Sequence, residues 1–444
     1  MKISFIIPSR NNKKYLEWAY NSIRKNQGNH EVEICVADDF SEDGTKEWCK
    51  QITAKDPQFK WIRNEGPERQ GLVILNDKLI NEVATNDLCI VYHADMYLCP
   101  GALDAIQKHM YTVTDLTPKN HPTGYEIVDG KKIEYGVKVE ENEKTIVSLT
   151  RIEPPLHPPG PEKILLDCGI EPEEFDEVKL LDRVKFIHEK VGQPLNANTS
   201  PMPETTEGIF APWAFWKKDF QEIGGHDPIF APQSKEDTDI FNRFHLNGIK
   251  FVQTWEGFVY HMTCRGSRFA DGATRNPNGE VFMKNRETDE WLAQNQKSTR
   301  EFIRKWGHFC KHDQYMKPIV PPKYEIGIVV ENCNAQLLEV LEPWCSYIYV
   351  DMEDFVVYSM KEQEKSSFNI DERVRHFDPN KHVIKDDITI KVDGKTFNQQ
   401  DYQIVGQLSE IIQDSGEIGE FELGNLKVQI NDLATYENNL IICD

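Results

Sequence analysis

Asp39, His93, Asp95, Glu236, Asp237 and His261 stand where this sequence can do chemistry. "VEICVADD" ends in Asp38 and Asp39, "IVYHAD" ends in His93 and Asp95, "FVYHMT" carries His261, and "KEDTDIF" opens with Glu236 and Asp237. A carboxylate can ligate a hard cation, accept an N–H or take up a proton, and an imidazole can ligate a transition metal or move a proton. Each position also has a plain structural use. Asp and Ser in "DDFSEDG" are ordinary turn formers, and paired acids at a helix start answer the macrodipole. A strand-end aspartate often caps the next helix, but "MYLCP" separates Asp95 from the helical stretch "GALDAIQKHM".

The elements that must position these groups alternate through the first hundred residues. "ISFIIP", "VEICVADD", "FKWIRN" and "DLCIVYHAD" read as strands. Between them, "KKYLEWAYNSIRKN", "TKEWCKQITAK" and "LVILNDKLINEVA" show apolar residues at helical spacing. This order predicts a mostly parallel α/β sheet with helices on both faces. Ligands bind beyond the carboxyl ends of such strands, so Asp39 and Asp95 are expected to face a crevice. Residues 112–205 are polar and proline-rich, including "EPPLHPPGPEK", and read as an insertion that partly forms extended loops. Regular signals return over residues 206–270, and "TDEWLAQNQKSTREFIRKWG" reads as a helix leading to a linker at "KPIVPPKYE". The expected organisation is a domain over 1–315 and a smaller α/β or α+β domain over 321–444. The latter carries 24 acidic against 10 basic side chains, and no chemical motif stands out in it.

Composition narrows the setting. The chain has 444 residues, 39% hydrophobic and 28% charged, as expected of a globular protein. A net charge of −22 argues against nucleic acid as a partner. No apolar run is long enough to span a bilayer, and the start lacks the features of a signal peptide. Ten scattered cysteines without a C-x-x-C pair fit a reducing, cytoplasmic setting.

Five motifs in one order carry a resemblance. "SFIIPSRNN" and "VADDFSEDGT" resemble the opening of family 2 glycosyltransferases of the GT-A fold. "HAD" stands where that family has Asp-x-Asp, "IGGHDP" where it has a Gly-Gly turn, and "KEDTDIFNR" where it has an acidic pair with a downstream arginine. The resemblance covers about residues 1–115 and 205–270. It implies transfer of a sugar from a nucleotide-diphosphate donor, a UDP-sugar before a GDP-sugar, to a hydroxyl acceptor such as a glycan, with inversion. It implies Mn2+ or Mg2+ held by Asp95, with His261 completing the metal site. His93 replaces the family's first aspartate, which leaves the ribose contact open.

By the same resemblance Asp39 contacts the donor base, in a pocket shaped by Pro8 and Ser9, while Arg10 or Arg69 reaches phosphate. Asp237 is the general base, with Glu236 the weaker choice and Asp239 a partner of Arg243. Gly225 contacts the donor sugar, although Gly224 and Gly225 also serve to end a helix. Trp213 and Phe215 are candidates to stack on acceptor sugar, and Arg265 and Arg268 to cover the diphosphate. Two other readings compete. A nucleotidyltransferase needs a glycine-rich loop with lysine, which "PSRNNKKY" lacks. A catalytically inactive carbohydrate- or nucleotide-binding module on the same fold is the alternative from another class. Self-association or partner docking through 321–444 is a further expectation.

Overall fold

The computed structural model describes residues 1–115, 125–128, 131–134, 137–193, 202–263, 272–283, 287–352, 355–378 and 384–436. The chain divides into two compact units. The first comprises Met1–Glu222, Asn247–Thr288 and Gln314–Lys317; the second comprises Ile223–Leu246, Asp289–Asp313 and Pro318–Asp444.

In the first unit, β1 (Lys2–Ser9), β2 (Glu31–Asp38), β3 (Phe59–Arg63) and β4 (Leu88–Val91) run parallel in the order β4-β1-β2-β3. The connecting helices are α1 (Lys13–Asn26), α2 (Thr45–Thr53) and α3 (Gly71–Lys78). Ile3, Phe5, Ile7, Ile34, Val36 and Ile90 are fully or almost fully buried, because both sheet faces carry cover. The fourth strand is shorter than its apolar run suggests: it stops at Val91, and residues 96–98 begin a new strand, β5 (Met96–Leu98). The capping alternative for Asp95 does not apply. The next helix, α4 (Ala102–Met110), has Gly101 at its N-cap, in a left-handed conformation with φ 80°.

Beyond α4 come two ribbons, β6 (Tyr111–Asp115) with β9 (Val137–Glu141) and β7 (Tyr125–Val128) with β8 (Lys131–Glu134). Then β10 (Thr145–Glu153) enters the main sheet, with β11 (Lys163–Leu165) alongside it. This nine-residue strand lies inside the stretch read as polar insertion, yet Ile146, Val147, Leu149 and Ile152 are fully buried. Flanking prolines and charges hid an apolar core segment. The sheet is completed by β12 (Thr205–Thr206), β13 (Trp213–Trp216) and β14 (Lys250–His261), giving the order β12-β14-β10-β13-β4-β1-β2-β3. Among the described residues of this sheet, only β12, β13 and β5 pair antiparallel to their neighbours.

The second unit contains the helices at Glu236–Leu246 and Asp289–Trp306 and a six-stranded sheet. Four of its strands, Ile326–Glu331, Tyr347–Val350, Val374–His376 and Ile388–Asp393, are parallel, and a hairpin of Gly419–Leu423 and Leu426–Ile430 closes one edge. A buried ionic cluster ties Asp289–Trp306 to this sheet's flanking segments. Arg304 bonds Glu301 at 2.6 Å and Glu342 at 3.1 Å, and Arg373 bonds Glu342 at 2.6 Å. Among the described residues no helix is long and apolar enough to cross a membrane, and no disulfide is present; Cys35 and Cys89 are buried free thiols.

Candidate active site

Strand register assembles the central group. β5 pairs antiparallel with β14 so that Met96 lies opposite His261, which sets the histidine beside Asp95 one residue earlier. The Met262 N–H donates to the Asp95 carbonyl at 3.0 Å and holds that corner. As a result His93, Asp95 and His261 offer one ligand atom each, all within 4.8 Å of one another. His261 Nε2 is 3.4 Å from Asp95 Oδ1, and its Nδ1 is 2.8 Å from Glu153 Oε1 on β10. The two imidazole rings meet edge to face with centroids 5.4 Å apart.

Charges in this corner are strongly coupled. Burial, reinforced by His261, pushes the His93 imidazole down to about 4, so it is neutral and able to ligate. Burial also disfavours the His261 imidazolium, but Asp95 and Glu153 outweigh it and raise that group to about 9. Asp95 shows the converse: burial would raise its carboxyl, and His261 holds it below the usual range. The corner therefore attracts positive charge. Two imidazoles and a carboxylate form a donor set that suits a divalent transition ion such as Mn2+, so these residues fit the implied metal.

The strand ends on either side are stitched together. Asp39, 2% exposed, accepts from Asn64 Nδ2 at 2.8 Å and Gln70 N at 3.1 Å through Oδ1, and from Gly71 N at 2.9 Å through Oδ2. It anchors the approach to α3. Asp38 is fully buried, ion-paired with Arg63, and accepts from Ser41 N at 2.9 Å. Asn11 N donates to Ser41 Oγ at 2.9 Å and Lys13 N to Asp43 Oδ2 at 2.8 Å. Asp43 and Thr45 thus serve the turn, as their types suggest; Thr45 Oγ1 bonds Asp43 at 2.6 Å. Pro8 and Ser9 end β1 beside Ala37 and Asp38. Buried Ser9 Oγ and Arg10 Nη1 make no hydrogen bond among the described residues. Three non-glycine residues here, Asn11, Phe40 and Thr263, have φ of 51°, 55° and 51°. Such backbone persists where surrounding structure imposes it, commonly around ligand sites.

The other expected residues stand on other elements. Trp213 is fully buried in the middle of the sheet, with its ring centroid 4.5 Å from that of Phe215, so it presents no open face for a sugar. Glu236, Asp237 and Gly225 belong to the second unit. There the helix starts at Glu236, directly after Ser234 and Lys235 with φ of 83° and 69°. Ser234 Oγ bonds Asn295 at 2.7 Å and helps hold that turn. Burial and the negative charge of Asp237 push the Glu236 carboxyl well above the usual carboxylate range. Asp239 is fully buried, paired with Arg243 at 2.9 Å and Lys305 at 2.7 Å. Gly224 and Gly225 have φ of 84° and 74°, which a helix cannot continue. Arg265 and Arg268 lie outside the described residues. Glu153 and its ion-pair partners Arg151 and Lys163 were not anticipated; the only signal was the apolar alternation leading into "TRIEPP".

Residues 4–121 match the model of glycosyl transferase family 2. This segment is similar to family 2 glycosyltransferases over that match. Its strands β1–β4 share one mixed α/β sheet with β10, β12, β13 and β14 from outside the matched segment. The chain is 32% identical over 122 residues to abequosyltransferase RfbV of Salmonella typhimurium, covering 26% of this chain and 34% of that protein. It is 25% identical over 271 residues to the uncharacterized glycosyltransferase YfnE of Bacillus subtilis, covering 56% and 62%. The chain thus spans less than two thirds of either relative. Among solved structures, it is similar to that of GalNAc-T7 with UDP, GalNAc and Mn2+, with TM-score 0.41 and 14% identity over 69% of this chain and 48% of that one.

Proposed function

We propose that the chain is a divalent-metal-dependent, inverting glycosyltransferase. In this reading it moves a sugar from a nucleotide-diphosphate donor, a UDP-sugar, to a hydroxyl of a glycan or similar acceptor. The observation that supports it most is the convergence of His93, Asp95 and His261 beyond the carboxyl ends of the strands. A cation held there would neutralise charge developing on the leaving nucleoside diphosphate. The two imidazoles favour Mn2+ over Mg2+, which prefers oxygen ligands and keeps its waters.

The chain's own groups supply the rest. Asp39 Oδ2 accepts one backbone N–H and retains capacity for an imide N–H of the donor base, with Pro8 and Ser9 shaping that pocket. Arg10 reaches toward phosphate. Asp237 is assigned as the general base that takes the acceptor proton, at the start of a helix entered through two left-handed residues. Gly225 is assigned to the donor sugar. Trp213 is given no part in acceptor binding, because it is buried.

The test is nucleotide release on incubation with a panel of UDP- and GDP-sugars, with Mn2+ or Mg2+ and with chelator. Mn2+-stimulated UDP release from one donor is expected. Tight nucleotide binding with no turnover or hydrolysis of any donor would replace this reading with that of a binding module.

A further inference from the structure

We infer that Glu153 is the positioning residue that makes His261 a metal ligand, so that a strand from outside the matched family segment sets the affinity of the site. The inference rests on the metal reading of His93, Asp95 and His261. An imidazole can ligate through Nε2 only if that nitrogen carries the lone pair, and a partner accepting from Nδ1–H selects this tautomer. Glu153 Oε1 lies 2.8 Å from His261 Nδ1, while Nε2 faces Asp95. The geometry follows from the sheet: β10 and β14 pair with Ile152 opposite Tyr260, so Glu153 and His261 are the next residues along two adjacent strands.

Glu153 is itself held rigidly. Its side chain is 3% exposed, with Arg151 Nε at 3.2 Å and Lys163 Nζ at 3.4 Å. Both cations also contact Glu162, at 3.1 and 3.3 Å. A carboxylate serving only as a counterion for Arg151 and Lys163 would have no need of the histidine. Here Oε1 is shared between His261 at 2.8 Å and Arg151 at 3.2 Å while Oε2 faces Lys163, and the two cations fix where the carboxylate points.

The experiment titrates the full chain with Mn2+ alone, reading free Mn2+ by electron paramagnetic resonance. Glu153→Leu removes the acceptor and is expected to weaken binding about 10- to 100-fold. Glu153→Gln keeps an acceptor oxygen and should restore most of the loss. Arg151→Met breaks the ion pair but not the histidine contact, and should stay near wild type. Wild-type affinity in Glu153→Leu, or an equal loss in Glu153→Leu and Arg151→Met, overturns the inference. If Glu153→Leu does not fold, Glu153→Asp withdraws the acceptor by one methylene while keeping the charge, and the same comparison decides. Asp95→Ala separates the two layers: if it binds Mn2+ normally, the metal reading itself fails. If it loses Mn2+ while Glu153→Leu does not, only the role of Glu153 falls.

Discussion

Glu236 and Asp237 share a helix start but not an environment. Burial and its neighbour's charge hold the Glu236 carboxyl toward its neutral form, which suits it poorly to act as an ionised base at neutral pH. Asp237 is therefore the residue to test. Asp237→Asn should lower transfer by about 10²–10⁴-fold, the usual contribution of a positioned base, while calorimetry shows UDP binding intact. Near wild-type turnover would remove the assignment. At this scale the sequence was informative wherever an acid or histidine ended an apolar run, since burial forces such a group to have a partner or a purpose. Asp95 and His261 were legible for that reason. Glu153 was not, because hydrogen bonding to a residue 108 positions away leaves no local trace.

Strands decided more than the helices did. The four N-terminal strands follow directly from their apolar runs, and the end of β14 falls at His261 as its pattern suggests. β13 shows the limit of such reading. "WAFW" offers aromatic residues that suit sugar stacking, but antiparallel pairing with both β4 and β10 places the strand in mid-sheet and buries all four residues. Trp213→Ala is accordingly expected to act on stability, costing about 3–5 kcal/mol in urea unfolding. If the substitution left the unfolding midpoint unchanged and raised only the acceptor KM, the core assignment would be wrong. The same contrast explains β10: a short apolar stretch inside proline-rich sequence is ambiguous until two neighbouring strands claim its hydrogen bonds.

Across the whole molecule, two buried carboxylates link folding to acidity. Burial alone would raise Glu342 in the second unit, but Arg304 and Arg373 bring it down to about 2. In the first unit burial opposes, and Lys60, Ser4 and Thr85 prevail, bringing Glu33 likewise to about 2. Both lie below their ordinary value of 4.5, so the stability they add is complete above that pH and disappears as pH falls toward 2. Each is worth roughly 3 kcal/mol at neutral pH. Urea midpoints should fall clearly between pH 6 and pH 3; an unchanged midpoint would show these pairs to be energetically neutral. By itself the sequence determined that the chain begins with a mostly parallel α/β sheet whose strands end in acids, because periodicity and strand-end residues are local properties. Only the tertiary structure decided that His93, Asp95 and His261 share one corner, that Glu153 backs the histidine, and that residues 223–246 and 289–313 join the C-terminal stretch in one compact unit. These are pairings between distant segments, and distant pairing is set by which faces must be buried together, which no single stretch of sequence records.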